Sequence, residues 1–261
     1  MKELWFTRWV NDILARPTAE ALRLLHVTPQ NPRAPIPNHV AMEILLVLIV
    51  APFATWLRFR LSVENPGVWQ HLVESLWTAL KDQADEVIGH DARRFLNFLF
   101  TLTVFILIAN LIGLVPTLSS PTADSTVPLA LAVVAFFYYH AAGIRRQGAV
   151  KYALSFFGPI SEMPLVMAIF IAPLMLIIET ISHFARILSL TVRLWANMYA
   201  GDLLISIFMA LLPVLGVLFM GLHFFVAILQ AYIFVLLTMV YLSGAVAEHH
   251  GGNEGVAENI A

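Results

Sequence analysis

Apolar residues run almost unbroken through five stretches of this chain, 39–57, 95–116, 128–142, 162–200 and 203–247. Runs of this kind predict membrane helices, since about 20 apolar residues cross a bilayer core roughly 30 Å thick. Between the first two, the pattern becomes periodic. Trp69, Leu72, Val73, Leu76, Trp77 and Leu80 recur on one helical face, which predicts an amphipathic surface helix within 62–92. Residues 1–26 set Trp5, Trp9, Val10, Ile13 and Leu14 at helical spacing, with Arg8, Asp12 and Arg16 between them. That pattern predicts a short helix lying on the bilayer, limited by Pro17. The prolines of 28–38 mark an extended linker. The expected fold is an all-α integral membrane protein with about five membrane helices. The domain order is an N-terminal interfacial helix and linker (1–38), a membrane domain (39–247) and a C-terminal tail (248–261).

The last two runs are too long to stand upright. At 1.5 Å per residue they extend about 58 and 67 Å as helices, against a core of about 30 Å. They are expected to lie steeply tilted with local bends, or else to break at Pro164, Pro173 or Pro213. A helix lying that way needs something large beside it to cover its polar residues.

Composition agrees with the pattern. The chain is 59% hydrophobic and 12% charged, about half the charged share of a soluble domain, and its mean hydropathy is +0.80. The net charge of −2 gives no indication of nucleic acid. The absence of cysteine removes disulfides, thiolate metal sites and cysteine nucleophiles together. The first residues carry frequent charges and no apolar core of a signal peptide. Arg58, Arg60, Arg93, Arg94, Arg145, Arg146 and Lys151 flank the first three spans on one side, and the 117–127 loop has no Lys or Arg. The positive-inside rule makes that side cytoplasmic and the N-terminus outside, with Arg33 a mild contrary signal. The C-terminus is then cytoplasmic.

Candidate chemistry sits on the two long runs. On the first, Glu179, Ser182, Arg186, Ser189, Arg193 and Asn197 fall within about 80° of one another at 100° per residue. Interhelical hydrogen bonds explain the serines of this stripe. They explain Arg193 poorly, because an intramembrane arginine stays charged and marks an ion path or a paired site. On the second run, His223, Gln230 and Tyr241 share a face, and Asp202 is expected to begin the same helix. A carboxylate and an imidazole there could form a proton relay, or His223 could be a packed core histidine. His183 divides evenly between a structural and a functional role. The chain carries no HExxH, GxSxG, Walker or GxGxxG motif, so no ATP-hydrolysing site, cofactor or metal is expected. Glu248, His249 and His250 could bind a metal, but their place in a Gly-rich acidic tail favours a disordered chain end.

The block RLWANMYAGD (193–202) is the most specific feature, and NLIGLVP (110–116), PTADSTVPLALA (121–132) and LQAYIFVLLTMVYLSGA (229–245) accompany it. Together, over roughly 39–250, they resemble the subunit a family of bacterial F-type ATP synthases. The resemblance implies a non-catalytic, multi-pass stator in the inner membrane, beside a ring of c subunits and held by the peripheral-stalk subunit b and the F1 sector. It implies that Arg193 faces the ring carboxylate with Gln230 opposite. Asn197, Asp202 and His223 would line the outer half-channel and Glu179 the cytoplasmic exit, with Ser182 and Tyr241 completing the proton path. Asp202 stands where Glu is usual, Trp195 and Ala196 where Phe and Gly are common, and Pro128 is unusual at a span start. The competing readings are a self-contained secondary transporter or channel and a structural assembly subunit. No internal repeat supports the first. Protons are the default coupling ion.

Overall fold

Two neighbouring helices, both far longer than a bilayer is thick, dominate the molecule. The computed structural model describes residues 4–24, 34–89, 91–115, 117–157 and 165–246, and every regular element among them is helical. In chain order these are α1 (Trp5–Leu24), α2 (Asn38–Phe59), α3 (Val68–Val87), α4 (Leu96–Ile112), α5 (Thr126–Gln147), α6 (Ala149–Ser155), α7 (Leu165–Leu211) and α8 (Pro213–Val246), with single 3-10 turns at 92–94 and 121–123. Four of them, α2, α5, α7 and α8, are long and apolar enough to cross a membrane, and α4 is a shorter apolar helix of 17 residues. The chain is a multi-pass membrane protein.

Several boundaries differ from expectation. The first long helix does not end near 200; it continues through Asp202 to Leu211, a run of 47 residues. Asp202 therefore belongs to α7 and faces α8, and does not start α8. The uninterrupted helix formers from Leu203 to Leu211 carry α7 onward, and the turn falls at Leu212. Pro213 stands at the first position of α8, where a missing N–H costs nothing. A Cβ at Gly216 would meet the Met209 backbone at 2.9 Å, so this glycine lets the last turn of α7 lie directly on the start of α8. Pro173 sits inside α7 without ending it. Pro17 likewise sits inside α1 and does not terminate it. Pro128 is the third residue of α5, still within the first turn, whose N–H groups have no intrahelical partner. The expected surface helix is confined to Val68–Val87, where Gln70 accepts from the Ser62 amide and donates to the Ser62 carbonyl, each at 3.0 Å. The short helix α6 has no counterpart among the expected elements. Pro164, Arg33 and the 248–250 cluster lie outside the described residues.

Packing makes α8 the hub, in contact with α7, α4, α5 and α3. Phe234, Leu194, Met198, Leu99 and Ile106 are fully buried where α4, α7 and α8 meet. Small residues (Ala227 and Ala231 on α8, Ala109 on α4) let the backbones approach closely, the usual device between membrane helices. Helix α7 lies on the outside: only 6% of its apolar window is buried, against 44% for α8. Its remaining surface is a wall of Ile, Leu and Phe.

The seven basic residues occupy one end of the bundle. Arg146 at the end of α5 meets Asp91, just before α4, at 2.7 Å, and Gln147 donates to the Ala245 carbonyl of α8 at 3.0 Å. At the opposite end, His39 of α2 meets Asp124 of the α4–α5 connection at 3.2 Å.

Candidate functional site

Helices α7 and α8 form an antiparallel hairpin whose polar side chains meet in register. Three cross-pairs span it: Asp202 with His223, Asn197 with Gln230, and Arg186 with Tyr241. Their residue numbers sum to nearly the same value, as antiparallel neighbours require. The polar stripe of α7 and the polar face of α8, each visible as a period of 3.6, are thus turned toward one another.

At the end away from the basic residues, His223 is 3% exposed and its Nε2 lies 3.5 Å from Asp202 Oδ1, slightly beyond hydrogen-bond length. The imidazole occupies space left by Gly201, because a Cβ there would overlap Nδ1 and Cε1 of the ring. The α4–α5 connection folds back against this pair. Ser120 turns its backbone amide toward the Asp202 carboxylate. The Ser120 hydroxyl bonds the Ala109 carbonyl at 3.0 Å and meets Thr122 Oγ1 at 2.6 Å. Thr122 donates to Asn110 Oδ1 at 2.7 Å, and Asn110 Nδ2 reaches the Ala227 carbonyl of α8 at 3.1 Å. A set of polar groups therefore links the α4–α5 connection to Asp202 and, across the hairpin, to His223. Asp124, at the mouth of this end, takes two hydrogen bonds from Thr126, from its amide at 3.0 Å and its hydroxyl at 2.7 Å. Burial works to raise the Asp124 pKa, but those bonds and His39 outweigh it and hold it below the usual carboxylate range.

In the middle, Asn197 Nδ2 donates to Gln230 Oε1 at 2.7 Å. Gln230 is 2% exposed and its Nε2 has no hydrogen-bond partner among the described residues. One turn before Asn197, Arg193 is exposed and makes no hydrogen bond or ion pair among the described residues. The adjacent Leu194 is fully buried, so the backbone is anchored while the guanidinium points away from the chain's own core.

At the basic end, Glu179 Oε1 lies 3.3 Å from His183 Nε2 and 3.9 Å from Arg186, whose guanidinium lies 5.1 Å above the Tyr241 ring. Tyr139 of α5 meets His183 Nδ1 at 2.9 Å, and Tyr152 of α6 meets His140 Nδ1 at 2.7 Å. Glu179, His183, Arg186 and Tyr152 border a cleft of about 270 Å³ among α6, α7 and α8. Ser182, half-buried on the same stripe, makes no side-chain hydrogen bond among the described residues.

The sequence-predicted residues thus form one cluster toward each end of the hairpin, with Arg193 and the Asn197–Gln230 pair between them. Along α7, Arg193 is about 14 Å from Asp202 and about 15 Å from His183 by helical rise. Sequence reasoning did not select Asn110, Ser120, Thr122, Tyr139, His140 or Tyr152. The signals were present: a buried-span asparagine in NLIGLVP, the polar PTADST, and the YYH triplet inside an apolar run. No periodicity within a single helix joins them to α7, because they come from other elements. Among the described residues no group of three His, Cys, Asp or Glu side chains could hold a metal ion.

Comparison with known proteins adds an independent line. A family model described as ATP synthase A chain matches residues 40–243. The chain is 45% identical to "ATP synthase subunit a" of Koribacter versatilis (strain Ellin345) over 249 residues, covering 95% of this chain and 98% of that protein. It is 45% identical to the protein of the same name from Solibacter usitatus (strain Ellin6076), covering 92% and 99%. The Campylobacter jejuni (strain 81-176) protein is 38% identical over 216 residues, covering 82% of this chain and 90% of its own length. With a match across the membrane helices, the arginine block and the hairpin alike, this chain belongs to the ATP synthase A chain family.

Proposed function

We propose that this chain carries protons through two half-channels in the inner membrane, and that Arg193 couples their passage to rotation of a neighbouring ring of c subunits. The observation that carries the reading is the position of Arg193: an exposed cation, unpaired among the described residues, on the outer face of the hairpin midway between polar clusters toward its two ends. A cation so placed in hydrocarbon costs at least about 2.5–3.5 kcal/mol. A carboxylate supplied by a second subunit removes that cost and accounts for the exposed apolar wall of α7.

The chemistry follows from charge. A protonated ring carboxylate is neutral and can face lipid, whereas its anion is costly there. Protons enter through the cluster of Asp202, His223, Asn110 and Ser120, which faces the outside by the positive-inside assignment. They leave through the cluster of Glu179, His183 and Arg186 on the cytoplasmic side. Arg193 favours the anionic form of the ring carboxylate and so promotes release. Its fixed charge also repels a proton taking a direct path from one cluster to the other. Asn197 and Gln230 hold the hairpin closed beside it. Each charge that crosses gains about 2.3 kcal/mol per 100 mV. The peripheral-stalk subunit b and F1 complete the assembly, and ATP is bound elsewhere in it.

Proton pumping driven by ATP in inverted membrane vesicles tests this. Arg193→Ala is expected to abolish pumping while the assembled complex still co-purifies with the ring. Normal pumping by that variant would refute the reading.

A further inference from the structure

Helices α4 and α5 both pack on α8, and at the basic end a cavity of about 580 Å³ opens between them, away from the polar stripe of α7. Small-molecule sites usually measure about 300–1,000 Å³. The wall of this one is divided. Arg94, Arg145 and Arg146 stand on it with Asp91, and apolar side chains such as Phe95 and Ala141 make up the rest. Asp91 is the one carboxylate on the described lining, and it is already shared by Arg146 at 2.7 Å and Arg94 at 3.4 Å. Arg145 is exposed and forms no ion pair among the described residues. Three guanidinium groups against one carboxylate leave the cavity with two positive charges in excess.

Arginines that merely snorkel spread their heads outward into water. These converge from two helices above an aromatic floor. The Tyr138 ring of α5 stacks on Phe98 of α4 with centroids 3.7 Å apart and planes at 11°, and it meets Phe95 edge-on at 6.3 Å. Tyr138 lies about 10 Å from Arg145 along the helix axis, on the side of the bilayer interior. Val134, Tyr138, Ala141 and Arg145 follow one another on a single face of α5, at steps of four, three and four residues. Val134, at the inner end of that face, is 52% exposed. A cationic pocket at the bundle end therefore continues into an apolar track that leads toward the middle of the membrane.

We propose that this cavity binds the phosphodiester headgroup of an anionic phospholipid, with an acyl chain lying along the α5 face from Ala141 to Val134. Guanidinium forks pair with two phosphate oxygens at once, which favours arginine over lysine at such a site, and every basic residue on the described lining is arginine. Basic pockets between membrane helices recognise lipid headgroups through this chemistry. An inorganic phosphate would satisfy the arginines and leave the track bare, whereas a lipid covers both. The site is separate from Arg193 and does not depend on its role in coupling.

The test uses the whole complex in vesicles of mixed phosphatidylglycerol and phosphatidylcholine. The chain has no cysteine, so Val134→Cys places a thiol-linked bimane on the track without filling the pocket, and the complex lacking that cysteine supplies the background. Bimane quenching is compared with brominated acyl chains carried by one lipid or by the other. Each arginine at an anionic headgroup contributes a preference of about fivefold, so the two excess charges should favour phosphatidylglycerol on the order of 25-fold. Arg145→Gln, at an exposed position without a partner among the described residues, should lower that preference about fivefold with the complex still assembled. Arg93→Gln removes the same charge at the same end but outside the cavity lining, and should leave it unchanged. Equal quenching by the two lipids, an unchanged preference in Arg145→Gln, or an equal loss in Arg93→Gln overturns the proposal. Loss of the preference on adding millimolar inorganic phosphate at constant ionic strength identifies a free anion as the occupant and overturns it as well.

Discussion

Gly201 is the residue whose replacement by the smallest possible side chain should do the most harm. It lies in α7 next to Asp202, and the His223 ring of α8 fills the space above its Cα. A methyl group there would overlap Nδ1 and Cε1 and sit 3.0 Å from Cγ. The ring has little room to yield, since His223 is 3% exposed and its helix is fixed on both sides by buried Ala227 and Gly216. Relief requires an off-rotamer imidazole or a local separation of α7 from α8. Overpacking of this kind costs about 1–3 kcal/mol. If the cost falls on the conformer that holds His223 against Asp202, its population drops by about 5- to 150-fold, at tenfold per 1.4 kcal/mol. Gly201→Ala is therefore expected to reduce ATP-driven proton pumping in vesicles within that range while the helix itself, which favours alanine, remains intact. A double-mutant cycle isolates the cause. In a His223→Ala background no ring is present to strike, so Gly201→Ala should add almost nothing. Equal losses from Gly201→Ala with and without His223, or full pumping by Gly201→Ala alone, would refute the reasoning.

Three further outcomes are expected. Asn110→Leu keeps the branched shape of the side chain but leaves the Thr122 hydroxyl and the Ala227 carbonyl without their buried partner. It should destabilise the membrane sector by about 1–3 kcal/mol, read as a lower thermal midpoint of the purified complex; an unchanged midpoint would show that the α4–α5 connection is held some other way. Asp124 has a lowered pKa, so its stabilisation is present above the unfolded value near 3.9 and is lost as pH falls through the lower folded value. Wild type should exceed Asp124→Asn in thermal midpoint at neutral pH, and the gap should close below about pH 4; a gap that persists in acid would count against it. Tyr139→Phe leaves the buried His183 Nδ1 without its partner and should lower the thermal midpoint of the complex, at a cost of about 1–3 kcal/mol, and an unchanged midpoint would count against it.

Helix type and the polar faces were legible before any coordinates. Long unbroken hydrophobic runs can only be helical in a bilayer, because hydrocarbon offers backbone groups no other partner. The period of 3.6 placed Glu179, Arg186, Arg193 and Asn197 on one stripe and His223 with Gln230 on another. Those two statements are local, and a single helix carries all the information they need. The turn between α7 and α8 was misplaced because apolar sequence continues across Gly201 and Asp202, and a pattern of hydrophobicity alone does not distinguish a turn glycine from a packing glycine. Gly201 turned out to make room for an imidazole, while the turn falls at Leu212, just before Pro213.

What tertiary structure alone decided is which polar groups meet. The pairing of Asp202 with His223 depends on the register of two antiparallel helices. The contacts of Asn110, Ser120 and Thr122, and of Tyr139 and Tyr152 with the two imidazoles, depend on how α4, α5 and α6 pack around α8. Their residues are separated by tens of positions along the chain, so no period or spacing could bring them together. A buried polar atom must find a partner or pay its full desolvation cost. That requirement, acting across elements, assembled the two clusters on either side of Arg193 and left its guanidinium unpaired within the described chain.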